Sequence, residues 1–508
     1  MTTWTSGYVA DIGYTYGYYN ELNPLRVRLA LLSTGLAFPE MGTACELGFG
    51  QGLSANIHAA ASVCSWRGTD FNPAQAGFAR ELASASGSGA QLFDESFAEF
   101  ASRDLPEFDY IGLHGIWSWI SDENRAVIVD FIRRKLKVGG VLYISYNTLP
   151  GWGAFAPMRH LMTEHAEVIG SAGRGIVSRI NDAIDFADKL LATSPMFARA
   201  NPQIAERINK LKEHNRHYLA HEYFNRDWHP MHFADMAQWL EPAKVQFACS
   251  AHTTEHLDAI NLSPDQQKFI AEIPDLMFRQ TVRDFMVNQQ FRKDYWVKGA
   301  RRLSAFEQRA LLEDTRVVLT TPRVDVPMKI TTTLGEATLS EAVYTPILDA
   351  LASHDSKTLR ELQTPEINLG RLVEASLVLM GAGHLALAQD AATIKKVTPA
   401  TTALNRHLCS KAQGSADIAF LASPVTGGGV PVGRFEQLFL REMAQGKKDP
   451  QQWASATWAL LKAQGQRIIK DGKTLESDED NLTELAQQAQ TFNTKRLPLL
   501  RKLGVVFE

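Results

Sequence analysis

The stretch C-E-L-G-F-G-Q-G, residues 45–52, reads as the end of a strand running into a glycine turn. Turns of this kind bring backbone close to a cofactor, because glycine takes the left-handed conformations that a tight reversal needs. A dinucleotide fingerprint requires GxGxxG, whose third glycine lets helix and strand pack closely. Here Gly48, Gly50 and Gly52 are spaced GxGxG, with the acid Glu46 two positions before the first. No GK[ST] follows, which excludes a nucleoside-triphosphate loop of the Walker type.

Outward from the turn, short apolar runs alternate with helical patterns. The strands expected are TACEL (43–47), WRGTD (66–70), AQLFD (90–94), FDYIGLHG (108–115) and VLYISYN (141–147). GLSANIHAAASV, PAQAGFARELASAS and SDENRAVIVDFIRRKL lie between them, with apolar residues at helical spacing. Such alternation argues for an α/β fold with a doubly wound, Rossmann-like sheet, whose ligands bind at the carboxyl ends of the strands. The glycine turn falls at such an end.

The chain has 508 residues, too many for one core. The expected division is a first core segment over 1–150, a helical insertion over 151–225 and completion of the sheet over 226–297. A middle domain over 298–395 and a C-terminal domain over 396–508 follow. In the middle domain a Thr- and Val-rich stretch suggesting strands precedes SEAVYTPILDALAS, SKTLRELQ and LGRLVEASLVLMGAG, an order of short helices that looks winged-helix-like. Its third helix has a single basic residue, Arg371, which suits protein recognition or packing better than DNA phosphates. A Gly/Pro loop, SPVTGGGVPVG (423–433), and a polar break, QGKKDPQQ (445–452), mark the last hundred residues.

Lysine and arginine number 52 against 56 acids, a net charge of −4 that gives no reason to expect bulk nucleic acid as a partner. The N-terminus lacks the basic and apolar regions of a secretory signal. The most apolar stretch, ASLVLMGAGHLALA, falls short of the roughly 20 residues of a membrane span. Four scattered cysteines (Cys45, Cys64, Cys249, Cys409) form no CxxC pair and suit a reducing cytoplasm.

The ExGxGxG form resembles motif I of class I methyltransferases that use S-adenosylmethionine (SAM). In such enzymes the second strand ends in an acid for the ribose hydroxyls, which is Asp70 here. The third strand ends near the adenine edge, which implies Asp94, Ser96 and Phe97. Read alone, each acid also suits a solvated loop. With Glu46, Gly48, Gly50 and Gly52 in order they imply a SAM site, with S-adenosylhomocysteine as product. The cofactor demands fit: glycines admit backbone to its methionine part, and helix amides beyond Gly52 face its carboxylate.

YGYYNELNPL (16–25), HGIWSWI (114–120), ISYNTLPGW (144–152) and YLAHEYFNRDWHPMHF (218–233) resemble a narrower branch. These are bacterial methyltransferases with a methyltransferase regulatory domain, best known from rickettsial protein-lysine methyltransferases of outer-membrane proteins. The resemblance implies a protein substrate, an inserted dimerisation element and hence a homodimer, and an N-terminal segment folded over the cofactor.

His114 and Trp117 follow strand four, where class I enzymes contact the cofactor's amino group and then the substrate; a buried histidine and packing tryptophans are the plainer reading. LHGIWSW stands in place of the [DN]PP[YF] of base methylases, which disfavours nucleic acid. Tyr16, Tyr18, Tyr19, Tyr146, Asn147 and Trp152 suggest either an aromatic pocket or a hydrophobic cluster. A lysine ammonium, with a pKa near 10.4, must lose a proton before attack, and aromatic walls hold such a cation at about 0.5–2 kcal/mol. His214, His217 and His221 fall at i, i+3 and i+7 of one expected helix face. No HExxH is present, so no metal is assigned. The His221–Glu222 pair is a candidate on the substrate side, or a surface hydrogen-bond pair. Methylation of a protein lysine is the favoured function. A glycan or small-metabolite methyltransferase, and a SAM-binding regulator without turnover, are the alternatives.

Overall fold

A computed structural model describes residues 15–170 and 172–507. The reading of no secretory signal concerns mainly residues 1–14, which lie outside the described residues. Among the described residues no helix is long and apolar enough to cross a membrane.

Seven strands form one sheet among the described residues: β1 (Thr43–Leu47), β2 (Ser65–Thr69), β3 (Gln91–Phe93), β4 (Phe108–Leu113), β5 (Leu136–Asn147), β6 (Val245–Ser250) and β7 (Phe291–Lys298). Their order is β3-β2-β1-β4-β5-β7-β6. The first five run parallel, while β7 is antiparallel to both β5 and β6. The chain moves from β1 outward to β3, then returns to β4 on the other side. That reversal opens a crevice at the carboxyl ends of β1 and β4. β1 and β4 are apolar and buried nearly throughout, as strands covered on both faces must be.

The flanking helices begin and end where their sequences direct. α1 (Pro24–Ser33) starts at Asn23, whose side chain accepts from Leu25 N–H. α2 (Leu53–Ala61) springs directly from Gly52. α3 (Pro73–Ser86) opens with an Asn72 cap and Pro73 and stops at left-handed Gly87. α4 (Phe97–Ala101) has a Ser96–Glu99 capping box. α5 (Asp122–Lys135) carries acids in its first turn and Arg133, Arg134 and Lys135 in its last, complementing the helix dipole. Strand β5 starts five residues before the expected 141, because Leu136 pairs with Phe108 and Lys137–Gly140 bulges out before the ladder resumes at Val141 opposite Tyr110.

Helices at Ala156–Val168, Gly175–Ala192, Gln203–Glu213 and Arg216–Tyr223 share a core of their own, built around Phe155, Met162, Ile184, Ile208 and Leu219. Their attachment explains the TLPG sequence. Gly151 N–H donates to Gln289 O at 2.8 Å, and a Cβ on Gly151 would meet Gln290 Cα at 2.5 Å. Only glycine lets the start of the insertion lie against the backbone leading into β7.

Beyond β7, strands Arg316–Leu319, Lys357–Thr358 and Leu385–Leu387 form a small sheet with helices Glu341–Ala350, Leu359–Leu362 and Leu369–Gly381. Arg371 is turned back to Glu366 O at 3.0 Å. The final segment packs helix Ala391–Lys411 and the hairpin Phe420–Ser423/Gly428–Pro431 against α2 and α3. Gln389 Nε2 spans this junction, donating to Ala61 O and Pro424 O at 2.8 and 2.7 Å. The four cysteines are buried and unpaired.

Candidate active site

The glycine turn is shaped by its missing side chains. Gly48, Gly50 and Gly52 have φ of 70°, 57° and 68°, all left-handed. A Cβ on Gly48 would meet Ile116 Cγ2 at 2.7 Å, and one on Gly52 would meet Ala79 Cβ at 2.5 Å. Gly48 N–H donates to Thr69 O at 2.8 Å, tying the turn to β2. Because Gly52 offers no side-chain cap, the first amides of α2 remain available to an anion.

Asp70 lies beside this turn. One carboxylate oxygen accepts Gly50 N–H at 2.9 Å and the other accepts Asn72 N–H at 2.9 Å. Burial pushes its pKa up to about 6 against the pull of these two amides. Glu46, deeper and 3% exposed, is raised to about 8 by burial and then by the charge of Asp70. Among the described residues its Oε2 has no hydrogen-bond partner.

The end of β4 supplies the next wall. His114 Nδ1 lies 2.7 Å from Tyr143 Oη, and the imidazole stacks under the Tyr19 ring with centroids 3.7 Å apart. Burial drives the imidazole down to about 3, so it is neutral at physiological pH. Gly115 N–H donates to Ser145 Oγ at 2.8 Å and holds the following turn on β5.

These groups line one cavity together with residues from the insertion. Gly48, Gly50, Asp70, Ser96, Phe97 and His114 meet His221 and Glu222 across it, as do Phe71, Gln75, Glu95, Trp119 and Asp227. Among the described residues its wall contains four carboxylates, Asp70, Glu95, Glu222 and Asp227, and neither lysine nor arginine. Glu95 is bound by Arg103 and Asp227 by Arg226 at 3.1 Å, so two of the four are already ion-paired.

Other residues singled out in the sequence lie elsewhere. Asp94 is exposed and paired with Arg80 on α3, and the next acid, Glu95, faces the cavity. Trp117 is fully buried with Nε1 on Met231 Sδ, whereas Trp119 lines the cavity. Tyr146 Oη donates to Asp294 at 2.9 Å within a buried cluster that includes Arg292 and Asp284. Trp152 Nε1 donates to Asn147 Oδ1 at 3.1 Å, at the root of the insertion, with the Arg207 guanidinium over the indole. Tyr18 turns away into the C-terminal domain. Glu46 and Gly52 are not among the residues that line the cavity. His214 ends the helix Gln203–Glu213 while His217 and His221 belong to the next, so the three histidines do not share one helix face. Glu95, Trp119 and Asp227 were each signalled only by a neighbour: Asp94, Trp117 and Glu222.

The family model described as a predicted methyltransferase regulatory domain matches residues 215–298. Along its whole length the chain resembles the uncharacterized protein sll1526 of Synechocystis sp. The two are 42% identical over 512 residues, 99% of this chain and 100% of the other. The chain belongs to the family of this Synechocystis protein. Uncharacterized protein RP789 of Rickettsia prowazekii is 24% identical over 279 residues, 54% of this chain and 49% of its own. Among solved structures, that of PKMT2 from Rickettsia typhi in complex with AdoHcy superposes with a TM-score of 0.70 at 16% identity, covering 97% of this chain and 100% of that one. This likeness is one of fold: the sheet is that of a class I methyltransferase.

Proposed function

We propose that the chain is a SAM-dependent methyltransferase whose acceptor is a lysine side chain of a protein. The observation that carries the reading is the single cavity joining the glycine turn and Asp70 to His221 and Glu222, with carboxylates and, among the described residues, neither lysine nor arginine in its wall.

The residues present fit the cofactor. Asp70 is a buried hydrogen-bond acceptor suited to ribose hydroxyls, α2 begins without a side-chain cap and so offers its first amides to a carboxylate, and the left-handed glycines leave room for the methionine chain. Ser96 and Phe97, with Glu95, line the end suited to adenine. SAM bound there supplies an electrophilic methyl group on a sulfonium. The similar solved fold of PKMT2 holds AdoHcy, which supports the same class of ligand here.

On the acceptor side, Glu222 attracts an ammonium, and His114, stacked on Tyr19, forms part of the wall against it. Desolvation between these walls lowers the pKa of an entering amine, so that water can remove its proton. Neutral His114 adds no competing charge. The insertion and the two C-terminal domains supply surface of the extent a protein substrate needs.

The test is incubation with methyl-labelled SAM and host lysate fractionated into protein, glycan and small-molecule pools. Label in protein, mapped to lysine by mass spectrometry and lost in Asp70→Ala, is expected. Label confined to another pool would leave methyl transfer standing and overturn the lysine assignment. SAM binding without label in any pool would favour a regulator.

A further inference from the structure

The Gly/Pro loop of the last domain has no part in the chemistry above, yet it reaches the segment whose Tyr19 stacks on His114, a residue of the cavity wall. Tyr18 and Tyr19 are adjacent in an extended stretch, with Tyr19 at φ −121° and ψ 108°. Successive side chains in extended backbone point to opposite sides. Tyr19 lies over His114, and Tyr18 points into the C-terminal domain, where it is 8% exposed.

The seat of Tyr18 is closely fitted. Its hydroxyl lies 3.1 Å from His58 Nε2 on α2, and its ring is 5.0 Å from that of Phe420. A Cβ on Gly429 would meet the ring carbons at 2.9 Å, and one on Gly428 would meet the Tyr18 hydroxyl and, at 2.6 Å, Asn23 Nδ2. Asn23 donates in turn to Thr426 O at 3.1 Å, so the same hairpin grips both ends of residues 18–23. Tyr19 N–H donates to Ser54 Oγ at 3.0 Å in the first turn of α2. Consecutive Cα atoms are about 3.8 Å apart with no slack between them, so displacement of Tyr18 carries Tyr19 with it.

We propose that Tyr18 is a positioning residue through which the C-terminal glycine hairpin holds Tyr19 over His114 and so sets ligand affinity in the cavity. The domain that packs on α2 thereby controls the segment that crosses the first turns of that helix at Ser54 and His58. The inference rests on the methyltransferase reading for the identity of the ligand, and on geometry alone for the mechanical link.

The experiment compares full-length wild type with Gly429→Ala, Tyr18→Ala and Tyr18→Phe, by hydrogen–deuterium exchange and by titration with S-adenosylhomocysteine. Gly429→Ala lies outside the cavity wall, and its methyl group occupies the seat of the ring. Faster exchange at residues 19–23 and about tenfold weaker binding are expected in Gly429→Ala and Tyr18→Ala. Tyr18→Phe keeps the ring seated and should bind within about twofold of wild type, a rescue that a general loss of stability would not produce. Exchange in helices Arg434–Ala444 and Pro450–Ala463 reports whether the last domain remains folded. If Gly429→Ala unfolds that domain, Tyr18→Ala decides.

Faster exchange at 19–23 with unchanged affinity would overturn the proposal, as would unchanged exchange. Should wild type bind no S-adenosylhomocysteine, the methyltransferase reading falls. Exchange in the variants then decides the link alone: faster at 19–23 and 114–119 upholds it, and unchanged overturns it.

Discussion

Asp70 accepts the Gly50 amide at 2.9 Å, so the acid ending β2 closes onto the glycine turn ending β1. The same carboxylate accepts Asn72 N–H and caps the approach to α3. Turn, acid and helix start are one hydrogen-bonded unit at the crevice.

Asp70→Ala therefore removes both the ligand for a ribose and the acceptor that steadies the turn. Hydrogen bonds to a charged group contribute about 1.5–3 kcal/mol each, so loss of a ribose pair weakens S-adenosylhomocysteine binding by about 100-fold or more. Calorimetric titration checks this. Binding within a few-fold of wild type would place the ribose elsewhere.

Glu46 makes a pH prediction. Its folded pKa of about 8 lies above the 4.5 of an exposed glutamate, so the unfolded chain gives up the proton first. The stabilisation from protonated Glu46 is complete below about 4.5 and is lost as pH rises through about 8, at up to about 1.4 kcal/mol per pH unit. Glu46→Gln lacks this dependence. In urea unfolding, the stability of the variant relative to wild type should climb between about pH 5 and 8 and level off above. A difference that stays flat would mean Glu46 is ionised throughout.

Gly52→Ala faces two separate penalties, a φ of 68° and contact with Ala79 Cβ. Together these predict a loss of about 2–5 kcal/mol in denaturant unfolding. Gly115→Ala, with the same left-handed φ but open space around its Cβ, should lose only the conformational part, about 1–2 kcal/mol. Equal losses would show that packing against α3 contributes nothing.

Glu222→Gln separates an amine acceptor from a neutral one. Removing a carboxylate from the cavity wall should raise KM for a lysine-containing substrate about five- to tenfold while leaving kcat nearly unchanged, and salt should raise the wild-type KM more than the variant's. An unchanged KM would remove Glu222 from the acceptor site.

The parallel core was legible in the sequence because it depends on local signals. The five apolar runs alternate with helical periods, and Asn72, Pro73 and Gly87 punctuate α3 where the chain turns. The cavity was only half legible, because side-chain direction depends on partners distant in sequence. Trp117 and Trp119 share one short 3-10 turn, and Met231 decides which of them enters the core. Asp94 and Glu95 are equally acidic, and Arg80 on α3 draws the first outward. Tyr18 and Tyr19 look interchangeable until Gly428 and Gly429 arrive from the other end of the chain. Three histidines at helical spacing suggested one face, but the chain breaks the helix at His214.

The most direct test is titration of purified wild-type protein with S-adenosylhomocysteine. A one-to-one complex with a Kd of about 1–100 μM, abolished by Asp70→Ala, is the expected result. No heat of binding at millimolar ligand, with the protein shown to be folded, would contradict a SAM site at the glycine turn and the function built on it.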